Sequence, residues 1–317
     1  MLLSLSFFPL SCFLPLASNM INKRVIKIGT RKSRLAVIQA LLVADALNKG
    51  GYNCELIKIT TKGDKFLRKP LQKVGGKALF VKEIEQALLK KEIDIAVHSL
   101  KDVPSTIPEE LALVSFLKRD DPQDAFISPR FDDIKKICKP ITIGTTSLRR
   151  QTQLKIVNDN FSFKILRGNI DTRLKKLDDK EFDAIVIAYC GIKRLGIKRN
   201  DIYSISVDDV IPACGQGVIT IQSRKDNPIN DVLEKINDSE TEICVCLERE
   251  LQKFIGISCF IPFGAYFEKN KDEIIGRIFL KIENKKTYLK IKKQDTWENR
   301  NKLLDNIKKD IKRYLES

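Results

Sequence analysis

Residues 93–104 read IDIAVHSLKDVP and decide the fold class. Ile93, Ile95 and Val97 are β-branched and alternate, which predicts a buried strand, and Pro104 ends regular structure soon afterwards. The loop between them is polar and carries His98, Ser99, Lys101 and Asp102. Open α/β sheets usually bind ligands beyond the carboxyl ends of their strands, so this loop is a candidate site. The alternative is a hydrogen-bonded core histidine beside a solvated Lys-Asp pair.

A strand-turn-helix unit opens the folded part of the chain. Val25–Ile28 is predicted as a strand, residues 29–33 (GTRKS) as a tight polar turn and Arg34–Leu47 as a helix. Backbone N–H groups at a helix start lack partners and attract a carboxylate or phosphate, so the turn is a candidate anion site. The alternative, compatible with the first, is that Ser33 is an N-cap.

A basic glycine loop follows a second predicted strand, Glu55–Thr60, and precedes a predicted helix, Phe80–Lys91. Its sequence Gly75-Gly76-Lys77 lacks the earlier glycine and the following Ser/Thr of a phosphate loop, so nucleotide binding is not supported. A flexible hinge that carries the two lysines Lys73 and Lys77 is the interpretation favoured here.

Residues 118–122 (KRDDP) are interpreted as a crossing into a second domain. The strand-turn-helix pattern of residues 25–47 is repeated twice after this crossing. Predicted strands enter the turns 144–150 (GTTSLRR) and 167–173 (RGNIDTR), and each turn combines helix-start amides with arginines. Guanidinium groups pair bidentately with carboxylates, so the two turns together could hold several acid groups of one ligand. A single surface arginine is more often merely solvated, but repetition at equivalent places favours a site.

The rest of the chain returns to the first domain and then leaves it. Asp183–Ala188 is a predicted buried strand, followed by the basic loop 191–196. Residues 211–217 (IPACGQG) are interpreted as the return crossing and a hinge, because a lone Gly-x-Gly is weak evidence for a dinucleotide site. From Ser239 onward we predict a helix, strands near Ile274–Leu280 and Tyr288–Ile291, and a Lys-rich final helix.

Composition narrows the class of partner. The 317-residue chain has 57 Lys+Arg against 41 Asp+Glu, a net charge of +16, which favours anionic partners. A nucleic-acid binder would interleave aromatic with basic residues, and only 7% of the chain is aromatic. The eight cysteines show no repeated spacing, so neither a disulfide framework nor a metal site is predicted.

The first 18 residues are apolar and uncharged, like the hydrophobic part of a targeting signal. Pro9 and Pro15 argue against a spanning helix, and Met20 offers a second start. Residues 1–20 are therefore left out of the fold, as a targeting segment or a mis-assigned leader. The expected location is the cytoplasm, or an organelle interior if the segment is a genuine signal.

Several of these motifs together resemble one family. The loop 98–104, residues 73–77 (KVGGK), the two arginine turns and residues 215–217 (GQG) resemble, in order, the hydroxymethylbilane synthase or porphobilinogen deaminase family. The resemblance runs from about Val25 to Gly264. Several motifs in register are far more specific than any one of them.

The resemblance implies an α/β fold of three domains, the first two like a type II periplasmic binding protein with a cleft between them, the third a small α+β domain. The expected ranges are 21–118 plus 218–238 for domain 1, 119–217 for domain 2 and 239–317 for domain 3. It also implies a dipyrromethane cofactor joined by a thioether to Cys259, since a thiolate is a strong nucleophile. Ile257 and Ser258 stand where the family usually has two glycines, a departure in the cofactor loop.

The implied reaction condenses four porphobilinogen molecules with loss of ammonia onto the primer, and water then releases linear hydroxymethylbilane for heme and other porphyrins. Asp102 is the expected catalytic carboxylate that balances the cation left by departing ammonia. The expected cofactor-binding residues besides Cys259 are Lys77, Lys101, Thr145, Ser147, Arg149 and Arg150. The expected substrate-binding residues are Arg31, Ser33, Lys73, Arg167, Asn169, Arg173 and Arg194.

The enzyme is expected to act as a monomer on porphobilinogen, without nucleic-acid partners and without stable insertion into membranes. The alternative is a non-catalytic polycarboxylate-binding protein with the same cleft. Such a protein would need neither Cys259 nor Asp102 and would carry no covalent pyrrole adduct.

Overall fold

The computed structural model describes residues 24–61, 81–256 and 261–317 of the protein. Residues 1–20, Lys73, Lys77 and Cys259 lie outside the described residues. The described chain forms three β-sheets with helices packed against them.

The first elements alternate strand and helix. In chain order they are β1 (Ile26–Arg31), α1 (Arg34–Lys49), β2 (Cys54–Ile59), α2 (Lys82–Leu89), β3 (Ile95–Ser99) and β4 (Leu111–Phe116). The predicted helix after the first turn is confirmed, and the Ser33 Oγ accepts a hydrogen bond from the Ala36 N–H at 3.3 Å, as expected of an N-cap. The turn is shorter than predicted, because β1 continues pairing with β2 as far as Arg31 opposite Ile59.

The second group of elements repeats this alternation. They are β5 (Asp124–Ile127), β6 (Ile141–Gly144), α3 (Leu148–Val157), β7 (Phe161–Lys164), α4 (Ile170–Asp178), β8 (Ala184–Ala188), α5 (Tyr189–Arg194) and β9 (Ile202–Ile205). Each parallel strand of this group presents β-branched or aromatic side chains to a buried core, as Ile143, Phe161 and Val186 do. Both arginine turns lead into helices, as predicted.

The last elements complete the first sheet and then build a third. They are β10 (Ile219–Arg224), α6 (Asn230–Glu234), α7 (Ser239–Phe254), β11 (Phe263–Asn270), β12 (Glu273–Leu280), β13 (Leu289–Thr296) and α8 (Arg300–Glu316). The strands β11, β12 and β13 form an antiparallel sheet in that order. Leu251 of α7 and Ile307 of α8 share one apolar core with Ile278 of β12, so both helices cover this sheet.

The two five-stranded sheets have the same internal order. The first runs β2-β1-β3-β10-β4 and the second β7-β6-β8-β5-β9. In each, three parallel strands are followed by an antiparallel strand that enters directly after a crossing from the other sheet. These sheets confirm the predicted α/β class with two similar larger units and a smaller third. The strands fall inside the expected domain ranges, while the boundaries themselves remain a prediction.

The two crossings between the large sheets lie side by side. The Asp120 N–H donates to the Gly217 carbonyl at 3.1 Å, and the Leu117 N–H donates to the Ile219 carbonyl at 3.0 Å. Gly217 has a φ of +90°, and a Cβ there would lie 2.4 Å from the Asp120 carbonyl oxygen. Only glycine permits this approach. The predicted role of residues 211–217 as a return crossing is confirmed, and their role as a hinge remains a prediction.

A buried glutamate joins the crossings to the third sheet. The Glu248 carboxylate, on α7, accepts hydrogen bonds from Arg119 Nη2 at 2.7 Å, the Gly215 N–H at 2.7 Å and the Phe267 N–H at 3.0 Å. Arg119 belongs to the first crossing, Gly215 to the return crossing and Phe267 to β11. One side chain therefore connects all three units.

Within residues 24–61, 81–256 and 261–317, no helix is long and apolar enough to cross a lipid bilayer.

Candidate active site

Lys101 and Asp102 lie in a short 3-10 turn that directly follows β3, the middle strand of the first sheet. The return crossing supports this turn from behind. The Leu100 N–H donates to the Val218 carbonyl at 3.0 Å, and a Cβ at Gly215 would lie 2.6 Å from the Leu100 side chain. The bare backbone of Gly215, at a φ of +70°, makes this contact possible.

His98 is a buried structural residue next to this turn. Its Nε2 lies 3.1 Å from Gln222 Oε1, and Gln222 Nε2 donates to Glu85 Oε1 at 3.0 Å. Since the amide nitrogen of Gln222 is committed to Glu85, its oxygen accepts and His98 Nε2 donates. Burial lowers the pKa of His98 to about 4, so the ring is neutral at pH 7. The core-histidine alternative therefore describes His98.

Asp102 is half-buried, and its carboxylate interacts electrostatically with Arg173 of α4. Burial lowers the pKa of Arg173 to about 10, the neighbouring charges of Arg150 and Arg167 lower it too, and Asp102 opposes them. Arg173 Nε also donates to the Gly168 carbonyl at 2.7 Å, which fixes the guanidinium. Asp102 thus lies among cations supplied by another unit.

Lys101 is also placed between the two large sheets. Its side chain is half-buried, and burial lowers its pKa while the charges of Cys190 and Asp102 oppose that change. Arg150 adds a repulsive interaction. The Lys-Asp pair of this loop is therefore not a solvated surface pair.

Arg149 and Arg150 occupy the first turn of α3 and are only 6% and 8% exposed. Nη2 of each donates to one oxygen of Asp124 at 2.7 Å, and Gln216 Nε2 donates to the same carboxylate at 2.8 Å. Burial alone raises the pKa of Asp124, yet the two guanidinium groups outweigh it and hold the pKa well below its usual range. Both arginines are therefore paired within the protein.

Arg149 and Arg150 differ in the N–H donors that remain after each has bound Asp124. Arg149 Nη1 donates to the Ile211 carbonyl at 2.6 Å, and Arg150 Nη1 donates to the Val186 carbonyl at 3.3 Å. Arg150 Nε is buried and has no hydrogen-bond acceptor within the part of the chain that the structure describes. A buried donor without an acceptor is costly, so Arg150 suits an acidic ligand.

The turns that begin α1 and α3 hold four of the expected site residues. Arg31 ends β1 half-buried, and its charge lowers the pKa of His98, which places it near the loop after β3. Ser33 is engaged as the cap of α1. Thr145 Oγ1 accepts from the Ser147 N–H at 3.3 Å, and the Ser147 hydroxyl makes no capping bond to α3.

The turn before α4 contains Arg167 and Asn169 on either side of Gly168, whose φ is +107°. Asn169 Oδ1 accepts a hydrogen bond from Thr172 Oγ1 at 3.2 Å. The charge of Arg167 acts on Arg173, as noted above. This turn therefore contributes to the same cationic region.

Arg194 lies at the crossings. Its Nη2 donates to the Gly217 carbonyl, and its Nε is 3.5 Å from Asp120 Oδ2. The expected contact of Arg194 with substrate remains a prediction.

Electrostatic interactions link six cations and two carboxylates across the two large sheets: Arg31, Lys101, Arg149, Arg150, Arg167, Arg173, Asp102 and Asp124. The cations exceed the carboxylates by four, which suits a ligand with several acid groups. Sequence reasoning missed Asp124 and Gln216. The available signal was a charged residue opening the apolar run Ala125–Ile127, because a buried charge requires partners.

A family model described as porphobilinogen deaminase, dipyromethane cofactor binding domain, matches residues 26–231. The chain belongs to the porphobilinogen deaminase family. A probable porphobilinogen deaminase of Picrophilus torridus is 45% identical over 246 residues, which are 78% of this chain and 86% of that protein. The porphobilinogen deaminase of Legionella pneumophila (strain Paris) is 44% identical over 248 residues, 77% of this chain and 80% of its own. That of Chromobacterium violaceum is 44% identical over 244 residues, 76% and 79%.

Solved structures with a similar chain path include an ancestral cationic amino acid solute binding protein, at 12% identity and a TM-score of 0.43 over 74% of this chain and 98% of that one. The periplasmic VFT2 domain of Bordetella pertussis BvgS has 12% identity and a TM-score of 0.42 over 69% and 90%. Membership of the porphobilinogen deaminase family favours the enzyme over the non-catalytic binding protein.

Proposed function

We propose that the protein is a hydroxymethylbilane synthase, which condenses four porphobilinogen molecules with loss of ammonia and releases linear hydroxymethylbilane for porphyrin and heme biosynthesis. The observation that carries this proposal is the half-buried Asp102 carboxylate after β3, which interacts electrostatically with Lys101 and with Arg173 of α4. Family membership indicates the substrate, and the excess of positive charge in the site suits the acid groups of that substrate.

The described residues fit a dipyrromethane cofactor. Arg150 holds a buried Nε donor without an acceptor in the described ranges, and the site has an excess of cations, as acidic pyrroles require. Arg149, Arg150 and Lys101, with the helix-start residues Thr145 and Ser147, would hold its carboxylates, and Lys77 would join them. Cys259 would be its point of covalent attachment. When bound, dipyrromethane supplies the pyrrole carbon to which the first substrate is joined.

Asp102 would act on the incoming porphobilinogen. Loss of ammonia from the aminomethyl group leaves a cation delocalised onto the pyrrole nitrogen, and a fixed carboxylate beside it stabilises that charge. The same carboxylate can accept the pyrrole N–H as a hydrogen bond and so orient the ring. Because the turn after β3 is held by Val218 and Gly215, the carboxylate needs no rearrangement at the moment of reaction.

The remaining cations would neutralise the growing product. Each porphobilinogen adds an acetate and a propionate, and guanidinium groups bind carboxylates bidentately. Arg31, Arg167 and Arg173, with Ser33, Asn169, Lys73 and Arg194, would bind the incoming substrate and the lengthening chain. The division of the arginines between cofactor and substrate is part of the proposal.

Intact mass spectrometry of the purified native protein tests this function. We expect a mass above that of the polypeptide by one dipyrromethane, absent from a Cys259→Ser variant, together with consumption of porphobilinogen and release of ammonia. Cys246→Ser, which changes an exposed cysteine of α7, is the matched control. A native protein with the bare polypeptide mass that leaves porphobilinogen unchanged contradicts the proposal.

The proposal extends to assembly and location. We expect a monomer that acts in the cytoplasm, or inside an organelle if residues 1–20 are a targeting segment. Light scattering coupled to size-exclusion chromatography gives the assembly state, and a fluorescent fusion to the full chain gives the location.

A further inference from the structure

Among the residues that the structure describes, Asp124 is the carboxylate that pairs with both arginines of α3. It is the first residue of β5, directly after the first crossing, and its side chain has no exposed surface. Each of its oxygens binds a different guanidinium, and Oδ1 binds Gln216 as well. Asp124 therefore connects three parts of the chain: it belongs to β5, it pairs with the arginines at the start of α3, and it accepts a hydrogen bond from the return crossing.

The two arginines require such a partner. Adjacent guanidinium groups repel each other, and the start of a helix carries a partial positive charge that disfavours cations. No acidic residue occupies the first turn of α3. Burial and the charge of Arg150 both lower the pKa of Arg149, while Asp124 opposes them. Without this carboxylate, two buried positive charges would stand side by side with only carbonyl groups as partners.

Gln216 extends the arrangement to the return crossing. Its Nε2 donates to the Pro122 carbonyl at 2.7 Å in addition to Asp124. The same crossing contacts Leu100 through Gly215, next to Lys101 and Asp102. Through Gln216, the Asp124 carboxylate is thus connected to the neighbouring residue Gly215, which supports the turn that carries Asp102.

We propose that Asp124 is a positioning residue of the active site, which aims Arg149 and Arg150 at the carboxylates of the pyrrole ligand and fixes them relative to the turn that carries Asp102. The inference rests on the proposed function. Asp124 itself is enclosed by its partners and does not touch substrate. Its effect passes through Arg149 and Arg150, and its contact with Gln216 fixes the distance between the two halves of the site.

The test compares Asp124→Asn with Arg150→Gln and with the double variant. Asparagine keeps the shape of the side chain but removes its charge, so we expect at least a roughly tenfold fall in kcat/KM for porphobilinogen and a lower fraction of protein carrying the primer mass. Because part of the effect of Asp124 passes through Arg150, the double variant should lose less than the sum of the two single losses. Asp124→Glu, which restores the charge, should recover part of the lost activity.

Asp178→Asn is the matched control, because it removes a carboxylate bound to Arg199 on the exposed side of α4. Thermal unfolding of each variant separates a positioning role from a folding role. Loss of activity and primer in a variant that unfolds at the wild-type temperature supports the proposal, as does partial recovery in Asp124→Glu. Wild-type kcat/KM and primer content in Asp124→Asn overturn it, and so do fully additive losses in the double variant. An inactive wild-type protein would instead contradict the proposed function.

Discussion

Asp102 and His98 lie four residues apart at the end of one strand, and their surroundings give them opposite properties. His98 is 5% exposed, and its ring N–H donates a hydrogen bond to Gln222. Asp102 is half-buried and interacts electrostatically with Arg173 of α4. The carboxylate is accessible to a substrate, and the imidazole is a fixed part of the core.

Replacing Asp102 by Asn should abolish most turnover while leaving the primer attached. Removing one preorganised charge-stabilising group typically costs ~2.7–4 kcal/mol of barrier, so kcat should fall by roughly 100- to 1000-fold. Steady-state kinetics and intact mass measure the two effects. Asp171→Asn, which changes a carboxylate of α4 that is 51% exposed, is the control. An unchanged kcat in Asp102→Asn would remove this residue from its role.

His98 should make the protein less stable in mild acid. Its pKa is about 4 in the folded protein and about 6.5 when unfolded, so the unfolded chain binds the extra proton between these values. Stability is therefore lost as pH falls from about 6.5 to 4, by up to about 3 kcal/mol. Urea unfolding of wild type and His98→Gln across this range isolates the effect, because the chain has one histidine. Parallel pH profiles of the two proteins would refute the assignment.

The residue types of the site were largely predictable, and their internal partners were not. The sequence 98–104 and the two arginine turns indicated a polyanion site because polar loops follow buried strands. The pairing of Arg149 with Asp124 joins residues 25 apart through a strand order that local periodicity does not encode. Such contacts depend on which strands become neighbours.

At the scale of elements, Gly217 and Gly51, which both have a positive φ, allow backbone strain to be separated from steric crowding. Gly51 has a φ of +87° and open space where a Cβ would lie, whereas a Cβ at Gly217 would meet the Asp120 carbonyl. Gly51→Ala should lower the free energy of unfolding by about 1–2 kcal/mol through its backbone alone. Gly217→Ala should cost roughly a further 1–3 kcal/mol. Urea denaturation measures the loss of stability in each variant. Equal losses would show that a Cβ at Gly217 meets no steric resistance from Asp120, which would contradict the close approach of the two crossings.

Within the two large sheets, helices and parallel strands were predicted better than antiparallel strands. The helix from Arg34 and the strand Ile95–Ser99 follow from apolar periodicity and β-branched alternation. Strands β5 and β10 were not predicted. The second half of β10 is polar, and Gln222 and Ser223 are 0% exposed because these side chains bind partners from other elements. The apolar part of each strand, Ala125–Ile127 in β5 and Ile219 with Ile221 in β10, is too short to give a clear alternating pattern.

At the scale of the whole molecule, Glu248 should be among the most sensitive positions for stability. Its side chain has no exposed surface, and Arg119 is 11% exposed. Glu248→Gln would leave that guanidinium buried without a counter-charge, at a cost of about 3–5 kcal/mol in the free energy of unfolding. Chemical denaturation measures this loss. Glu316→Gln, which breaks the exposed pair with Lys312, is the control and should change little. Similar midpoints for both variants would contradict a joining role for Glu248.

The two crossings between the large sheets were predicted from the sequence, and the matching order of the two sheets was not. The charged stretch 118–122 and the glycine stretch 211–217 indicated the two crossings. Equivalent strand orders arise from pairing between distant segments, such as β3 with β10, over more than a hundred residues. Charge and glycine content reveal where a chain changes direction, but pairing depends on the assembled sheets.

The position of β10 sets an order of events during synthesis. All strands of the second sheet lie within Asp124–Ile205, whereas the first sheet needs β10 to fill the space between β3 and β4. As a nascent chain leaves the ribosome, the later sheet therefore has its full complement of strands before the earlier one. Until residues 219–224 emerge, two backbone edges of the earlier sheet stay open to wrong pairing. The turn that carries Asp102 is held by a hydrogen bond to the Val218 carbonyl. It can therefore adopt its final conformation only after both large sheets have been synthesised.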